Sequence, residues 1–141
     1  ALLKAWRESL PQWDIRVYDH AAKNDSKILN SLDKLPARYR PNYIVLAVKP
    51  QQIKEAGALL KEKFPKYDGC IISIAAGTSI SILADIFGNK TSIIRTMPNV
   101  ASVVGSGTTV MKANNHATEK QKLDAELLFT AAGFVHWIEV E

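Results

Sequence analysis

Apolar residues along this chain fall into two patterns, short continuous runs and longer stretches with helical spacing, and the two alternate. Tyr43-Ile44-Val45-Leu46-Ala47-Val48 is a continuous apolar run, the signature of a strand covered on both faces. Cys70-Ile71-Ile72-Ser73-Ile74 repeats the pattern, Thr91 to Thr96 repeats it again, and Gly107 to Met111 and Phe134 to Val140 read as two further strands. Trp13 to Asp19 alternates in part and is rich in β-formers, which predicts a strand ending near Asp19. Between these runs, Ala1 to Leu10 has helical spacing and stops at Pro11. Residues from about Ala21 to Leu35 read as a weaker helix closed by Pro36 and Pro41. Pro50 suits the first turn of a helix running to about Phe64, with Ile53, Ala56, Leu59 and Leu60 facing inward. Thr78 or Ser79 caps a short helix through Ile82, Leu83 and Ile86 that stops near Gly88-Asn89. Thr118 and Gln121 have the spacing of a capping box, and the helix they open reaches Ala132, with Gly133 as its stop.

Strands alternating with helices predict an α/β fold, a Rossmann-like doubly wound and mostly parallel sheet with helices on both faces. The 141 residues suffice for one domain spanning 1–141. Such a fold opens on a strand and a glycine-rich turn, whereas this sequence opens inside the helix that follows them, so the sheet is expected to be incomplete at its N-terminus. That first strand is central in the sheet, and without it neighbouring strands lack a backbone partner.

Composition narrows the function classes. Hydrophobic residues at 47% and charged residues at 23% are ordinary for a globular chain, and no apolar run approaches the length that spans a bilayer. No signal-peptide pattern is present, so a cytoplasmic location and no membrane partner are expected. The net charge of +4 comes from lysines and arginines interspersed with acidic residues, as in Lys61-Glu62-Lys63, which fits solvated helix faces better than a nucleic-acid surface. Cys70 is the single cysteine and reads as a small core hydrophobe. His20, His116 and His136 are scattered, so no metal site is expected.

In an open parallel sheet, ligands bind beyond the carboxyl ends of the strands. Three motifs close strand-like runs here: Ala47-Val48-Lys49-Pro50, Ser73-Ile74-Ala75-Ala76-Gly77 and Arg95-Thr96-Met97-Pro98-Asn99. Ala47 and Val48 offer a low surface on which an adenosine half could rest. Lys49 either faces a ligand or simply reaches solvent, and Pro50 ends the strand. Ala75, Ala76 and Gly77 permit close approach to the backbone, or form no more than a tight turn. Asn99 can hold a carboxamide or substrate group through its amide, and Met97, beside Pro98, can pack on a ring. Asp19, followed by His20, ends the second strand, where a carboxylate hydrogen-bonds ribose hydroxyls; an ordinary loop start or helix cap is the alternative.

Taken in order, Leu46-Ala47-Val48-Lys49-Pro50-Gln51, Ser73-Ile74-Ala75-Ala76-Gly77 and Ile94-Arg95-Thr96-Met97-Pro98-Asn99 resemble pyrroline-5-carboxylate reductase. Gly105-Ser106-Gly107 and Ala132-Gly133-Phe134-Val135 resemble the same family. The chain departs from it at Val100-Ala101-Ser102, where members commonly carry Thr-Pro-Ala. The resemblance implies an oxidoreductase of proline biosynthesis that reduces the cyclic imine 1-pyrroline-5-carboxylate to L-proline with NADPH or NADH. This chain would be its dinucleotide-binding domain. By the same analogy Asp19, His20, Ala47 to Pro50, Ala75 to Gly77 and Met97 to Asn99 line the cofactor groove. Asp19 leans the choice towards NADH, because a carboxylate there repels a ribose 2′-phosphate. The substrate-binding groups and a homo-oligomer interface belong, in the family, to a region outside these residues, so no catalytic residue is assigned and the fragment alone is expected to be inactive. The alternatives are a related reductase or hydroxyacid-type dehydrogenase with another substrate, and a non-catalytic dinucleotide-binding module.

Overall fold

The computed structural model describes residues 2–23, 25–99 and 107–141. In chain order these form α1 (Leu2–Ser9), β1 (Val17–Tyr18), β2 (Ile28–Leu29), β3 (Tyr43–Leu46), α2 (Ile53–Lys63), β4 (Cys70–Ser73), α3 (Ile80–Phe87), β5 (Ser92–Pro98), β6 (Gly107–Ala113), α4 (Glu119–Thr130) and β7 (Gly133–Trp137). The strands β3-β4-β5-β6-β7 make one sheet in that order, while β1 and β2 pair parallel as a separate ribbon. All neighbours in the larger sheet are parallel except β5 and β6. The expected mostly parallel α/β architecture is therefore present.

The continuous apolar runs are explained by helices on both faces. On one, Cys70, Ile72, Ile94 and Met111 pack with Trp6 of α1 and Ala125, Leu128 and Phe129 of α4. On the other, Leu46, Ile71 and Ile93 pack with Ile53 of α2 and Leu83 of α3. Trp6 lies edge-on to Phe129 and donates its indole N–H to the Leu128 carbonyl at 2.6 Å, so the buried ring keeps its polar atom satisfied. Cys70 is fully buried, and that burial pushes its thiol up to about 12, which keeps it protonated and inert.

Some expectations from the sequence need correction. Ala21 to Leu35 is not an α-helix; it holds β2 and a single 3₁₀ turn at Leu32–Lys34. The cause is local, because side chains offer the backbone turns instead of a helical ladder. Asp19 accepts from the Ala21 N–H at 2.9 Å, Asp25 from Lys27 at 2.8 Å and Ser31 from Asp33 at 3.2 Å. The strand expected from Trp13 is confined to Val17–Tyr18, since Trp13 instead stacks on Tyr43 with ring centroids 5.9 Å apart. Leu59 is 37% exposed rather than facing inward. The buried line of α2 runs through Ile53 and Gly57, where a Cβ would stand 2.3 Å from Ile86 of α3, so the two helices meet at the glycine. Finally, α4 ends at Thr130, and Gly133 opens β7.

The capping box is as expected: Thr118 accepts from the Gln121 N–H at 3.1 Å and Gln121 accepts from the Thr118 N–H at 2.9 Å. Farther along α4, Asp124 accepts from Lys120 at 2.7 Å and from the Tyr43 hydroxyl of β3. Burial acts to raise the Asp124 carboxyl, but the bonds from Lys120 and Tyr43 outweigh it and hold it below its ordinary value. A depressed carboxylate contributes stability that is present above the unfolded-state value and is lost as pH falls through the folded-state one. Asp124→Asn is therefore expected to lower stability by roughly 1–2 kcal/mol at neutral pH. Denaturant titrations should show this gap closing as the solution is acidified.

Candidate functional site

The register brings the three strand-closing motifs to a single edge. Leu46 lies opposite Ser73, and Ser73 opposite Arg95, in strands that run parallel, so β3 and β4 end level while β5 continues three residues farther, to Pro98, on the same side of the sheet. The Ile74 N–H extends the pairing by donating to the Leu46 carbonyl at 3.1 Å. Beyond this point β4 turns sharply. The fully buried Ser73 hydroxyl accepts from the Ala75 N–H at 3.2 Å, and the Thr96 hydroxyl donates to the Ser73 carbonyl at 3.1 Å, fixing the start of the turn from within the sheet. Ala75 is buried, Ala76 and Gly77 are exposed, and Gly77 takes the left-handed conformation with φ 68°. A Cβ at Gly77 would have no heavy atom within 4 Å, so the space beside this lip is open.

The flanking residues complete the edge unevenly. Met97 and Pro98 are half-buried at the end of β5, and Asn99 is exposed. The Asn99 N–H donates to the Thr108 carbonyl at 3.2 Å, and its side-chain oxygen accepts from the Thr108 N–H at 3.3 Å. That oxygen is engaged in joining β5 to β6, so the ligand-holding role expected of the amide narrows to its NH₂ group. Lys49 and Pro50 are exposed and open the single turn Pro50–Gln52 before α2. Asp19 and His20 are exposed after β1; one Asp19 oxygen caps the Ala21 turn, as the plain loop reading expected. Val100-Ala101-Ser102 and Gly105-Ser106 lie outside the described residues.

A cleft of about 1890 Å³ runs between β1 and β3. Of the expected site residues, His20, Ala47, Val48, Pro98 and Asn99 line it; Asp19, Lys49, Pro50, Ala75, Ala76, Gly77 and Met97 do not. Its walls also include Val17, Tyr18 and the whole of β3, the two strands between which a doubly wound sheet places a further strand. The expected site residues that line the cleft lie at the carboxyl-end margin of these strands and of β5. Among the described residues no three His, Cys, Asp or Glu side chains converge on a common point, and no helix is long and apolar enough to cross a membrane.

No family model matches the chain. The pyrroline-5-carboxylate reductase of Vibrio alginolyticus is 34% identical over 119 residues, which cover 84% of this chain and 43% of the relative. A solved pyrroline-5-carboxylate reductase from Coxiella burnetii matches with a TM-score of 0.68 at 36% identity, over 71% of this chain and 37% of that one. This chain is homologous to the pyrroline-5-carboxylate reductases. The Plasmodium falciparum pyrroline carboxylate reductase, solved with NADP bound, matches 98% of this chain and 52% of its own with a TM-score of 0.79; at 24% identity it speaks for the shared fold. The chain spans less than half the length of the Vibrio reductase and about half that of the Plasmodium one.

Beside the candidate edge, this chain holds a polar assembly that its motifs did not single out. The Arg95 guanidinium, in the middle of β5, donates to Glu141 at 2.9 Å, and the same Glu141 oxygen accepts from the Ile80 N–H at 2.9 Å. Arg95 was visible only as the first residue of its motif, and Glu141, 46 positions away, carried no local signal at all.

Proposed function

We propose that this chain is the dinucleotide-binding part of a pyrroline-5-carboxylate reductase, serving the reduction of 1-pyrroline-5-carboxylate to L-proline. The observation that carries this reading is the common carboxyl-end side of β3, β4 and β5, where the three motifs that resemble the family's follow one another. The residues present suit a nicotinamide dinucleotide. Ala76 and Gly77 form an exposed lip with open space beside it, against which a planar ring or diphosphate can approach the backbone. Asp19 presents an exposed carboxylate after β1, in the position from which ribose hydroxyls are bonded.

A nicotinamide dinucleotide held against Ala76, Gly77 and Asp19 would supply the hydride for the imine carbon, and with a proton taken up at the ring nitrogen the C=N bond would become the C–N bond of proline. The protein's part is positioning. Ser73 and Thr96 hold the β4 turn rigid from below, Gly77 keeps the approach clear, and Met97 to Asn99 form the neighbouring wall. The substrate is a small-molecule imine, and the assembly is a homo-oligomer formed outside these residues.

NADH is the preferred carrier in this reading, because Asp19 disfavours a 2′-phosphate. Asp19→Ser is expected to shift the ratio of NADPH to NADH affinities towards NADPH by on the order of tenfold, about 1.4 kcal/mol. Parallel titrations of the two nucleotides by nucleotide fluorescence check this.

The overall reading is tested with the longest natural chain carrying this sequence, by following nucleotide oxidation and proline formation with 1-pyrroline-5-carboxylate. Imine-dependent oxidation with proline as product is expected. Turnover of hydroxy acids alone would assign a dehydrogenase instead, and nucleotide binding without any turnover would leave a binding module.

A further inference from the structure

The first N–H of an α-helix has no acceptor inside the helix. In α3 the Ser79 hydroxyl takes care of the Ile82 N–H at 3.3 Å, and the Ile80 N–H is met by Glu141 at 2.9 Å, from 61 residues away. The same carboxylate oxygen receives Arg95 at 2.9 Å. The pair is partly shielded, with side-chain exposures of 15% for Arg95 and 27% for Glu141. Arg95 depends on it heavily, because its Nε is buried without a hydrogen-bond partner among the described residues. The segment carrying Glu141 is itself fastened to β6: the Ile138 N–H donates to the Met111 carbonyl at 2.9 Å, and Lys112 donates to the Glu139 carbonyl. One carboxylate thus ties the stretch after β7 to β5 and to the beginning of α3. The α3 start lies only three residues beyond Gly77.

We propose that Glu141 is a positioning residue for the Ala75–Gly77 turn, acting through the Ile80 N–H and Arg95 to fix where α3 begins and thereby the shape of the lip that receives the dinucleotide. The consequence for binding rests on the cofactor reading above; the consequence for the turn does not. Arg95 is the second half of the device. Without the carboxylate it keeps its charge in a partly shielded place, so the loss falls on β5 and α3 together.

The test compares the unaltered protein with Glu141→Gln and Glu141→Ala in two readouts. Amide hydrogen exchange is expected to quicken about tenfold or more over residues 76–82 in Glu141→Ala and by less in Glu141→Gln, while α4 and β6 keep their protection in both. Affinity for the preferred nicotinamide nucleotide is expected to fall about tenfold in Glu141→Ala and less in Glu141→Gln, whose amide oxygen still accepts from Ile80. Unchanged exchange over 76–82, or a uniform rise across the whole sheet, would overturn the proposal, the latter by showing a merely structural role. Local quickening with unaltered affinity would overturn it as well. If the unaltered protein binds neither NADH nor NADPH, the cofactor reading fails, and the exchange data alone decide whether Glu141 holds the turn.

Discussion

Gly133→Ala is expected to destabilise the protein by about 3 kcal/mol or more, a large loss for a single added methyl group. Gly133 opens β7 opposite Gly107, the first residue of β6. Its φ of 143° belongs to the region that side chains avoid, and a Cβ would stand 2.0 Å from the Gly107 carbonyl oxygen and 2.7 Å from its carbon. Both contacts are with backbone, which cannot rotate away as a side chain can. The strands must separate at their first pair, and the next pairs, Thr108 with Phe134 and Thr109 with Val135, are then strained in turn. Denaturant unfolding should show a lower midpoint with a similar slope. A loss below about 1 kcal/mol would mean that β6 and β7 do not meet in this register.

The same region shows what a linear sequence discloses and what it hides. The buried strands β3, β4 and β5 were legible because enclosure on both faces leaves an unbroken apolar run, and the starts of α3 and α4 were legible because Ser79 and the Thr118–Gln121 pair act within one turn of the chain. The stretch from Ala21 to Leu35 misled because its helical spacing is weak and Asp19, Asp25 and Ser31 redirect the backbone, a competition that spacing does not register. Leu59 misled because the rotation of α2 is decided by Gly57 against Ile86, a contact with a helix not yet placed. The candidate edge was legible as a series of strand ends, since parallel strands of one sheet turn their carboxyl ends to the same side. The Arg95–Glu141–Ile80 assembly was not, because its members are separated by most of the fold and each alone is an ordinary residue.

The clearest functional contrast is between charge and bulk at Ala76. Ala76→Asp is expected to weaken nicotinamide-nucleotide binding on the order of a hundredfold, since a carboxylate facing the ligand's diphosphate places like charges together at a cost of a few kcal/mol. Stability should move by no more than about 0.5 kcal/mol, because Ala76 is exposed and its side chain has no place in any core cluster. Ala76→Asn has nearly the same shape without the charge and should bind within a fewfold of the unaltered protein. Added salt should recover part of the Asp variant's loss and leave the Asn variant alone, because screening acts on exposed charges. Equal losses in the two variants would make Ala76 a steric neighbour of the ligand, with no role for charge. No loss in either would remove the β4 turn from the binding edge and leave the ends of β3 and β5 to hold the nucleotide between them.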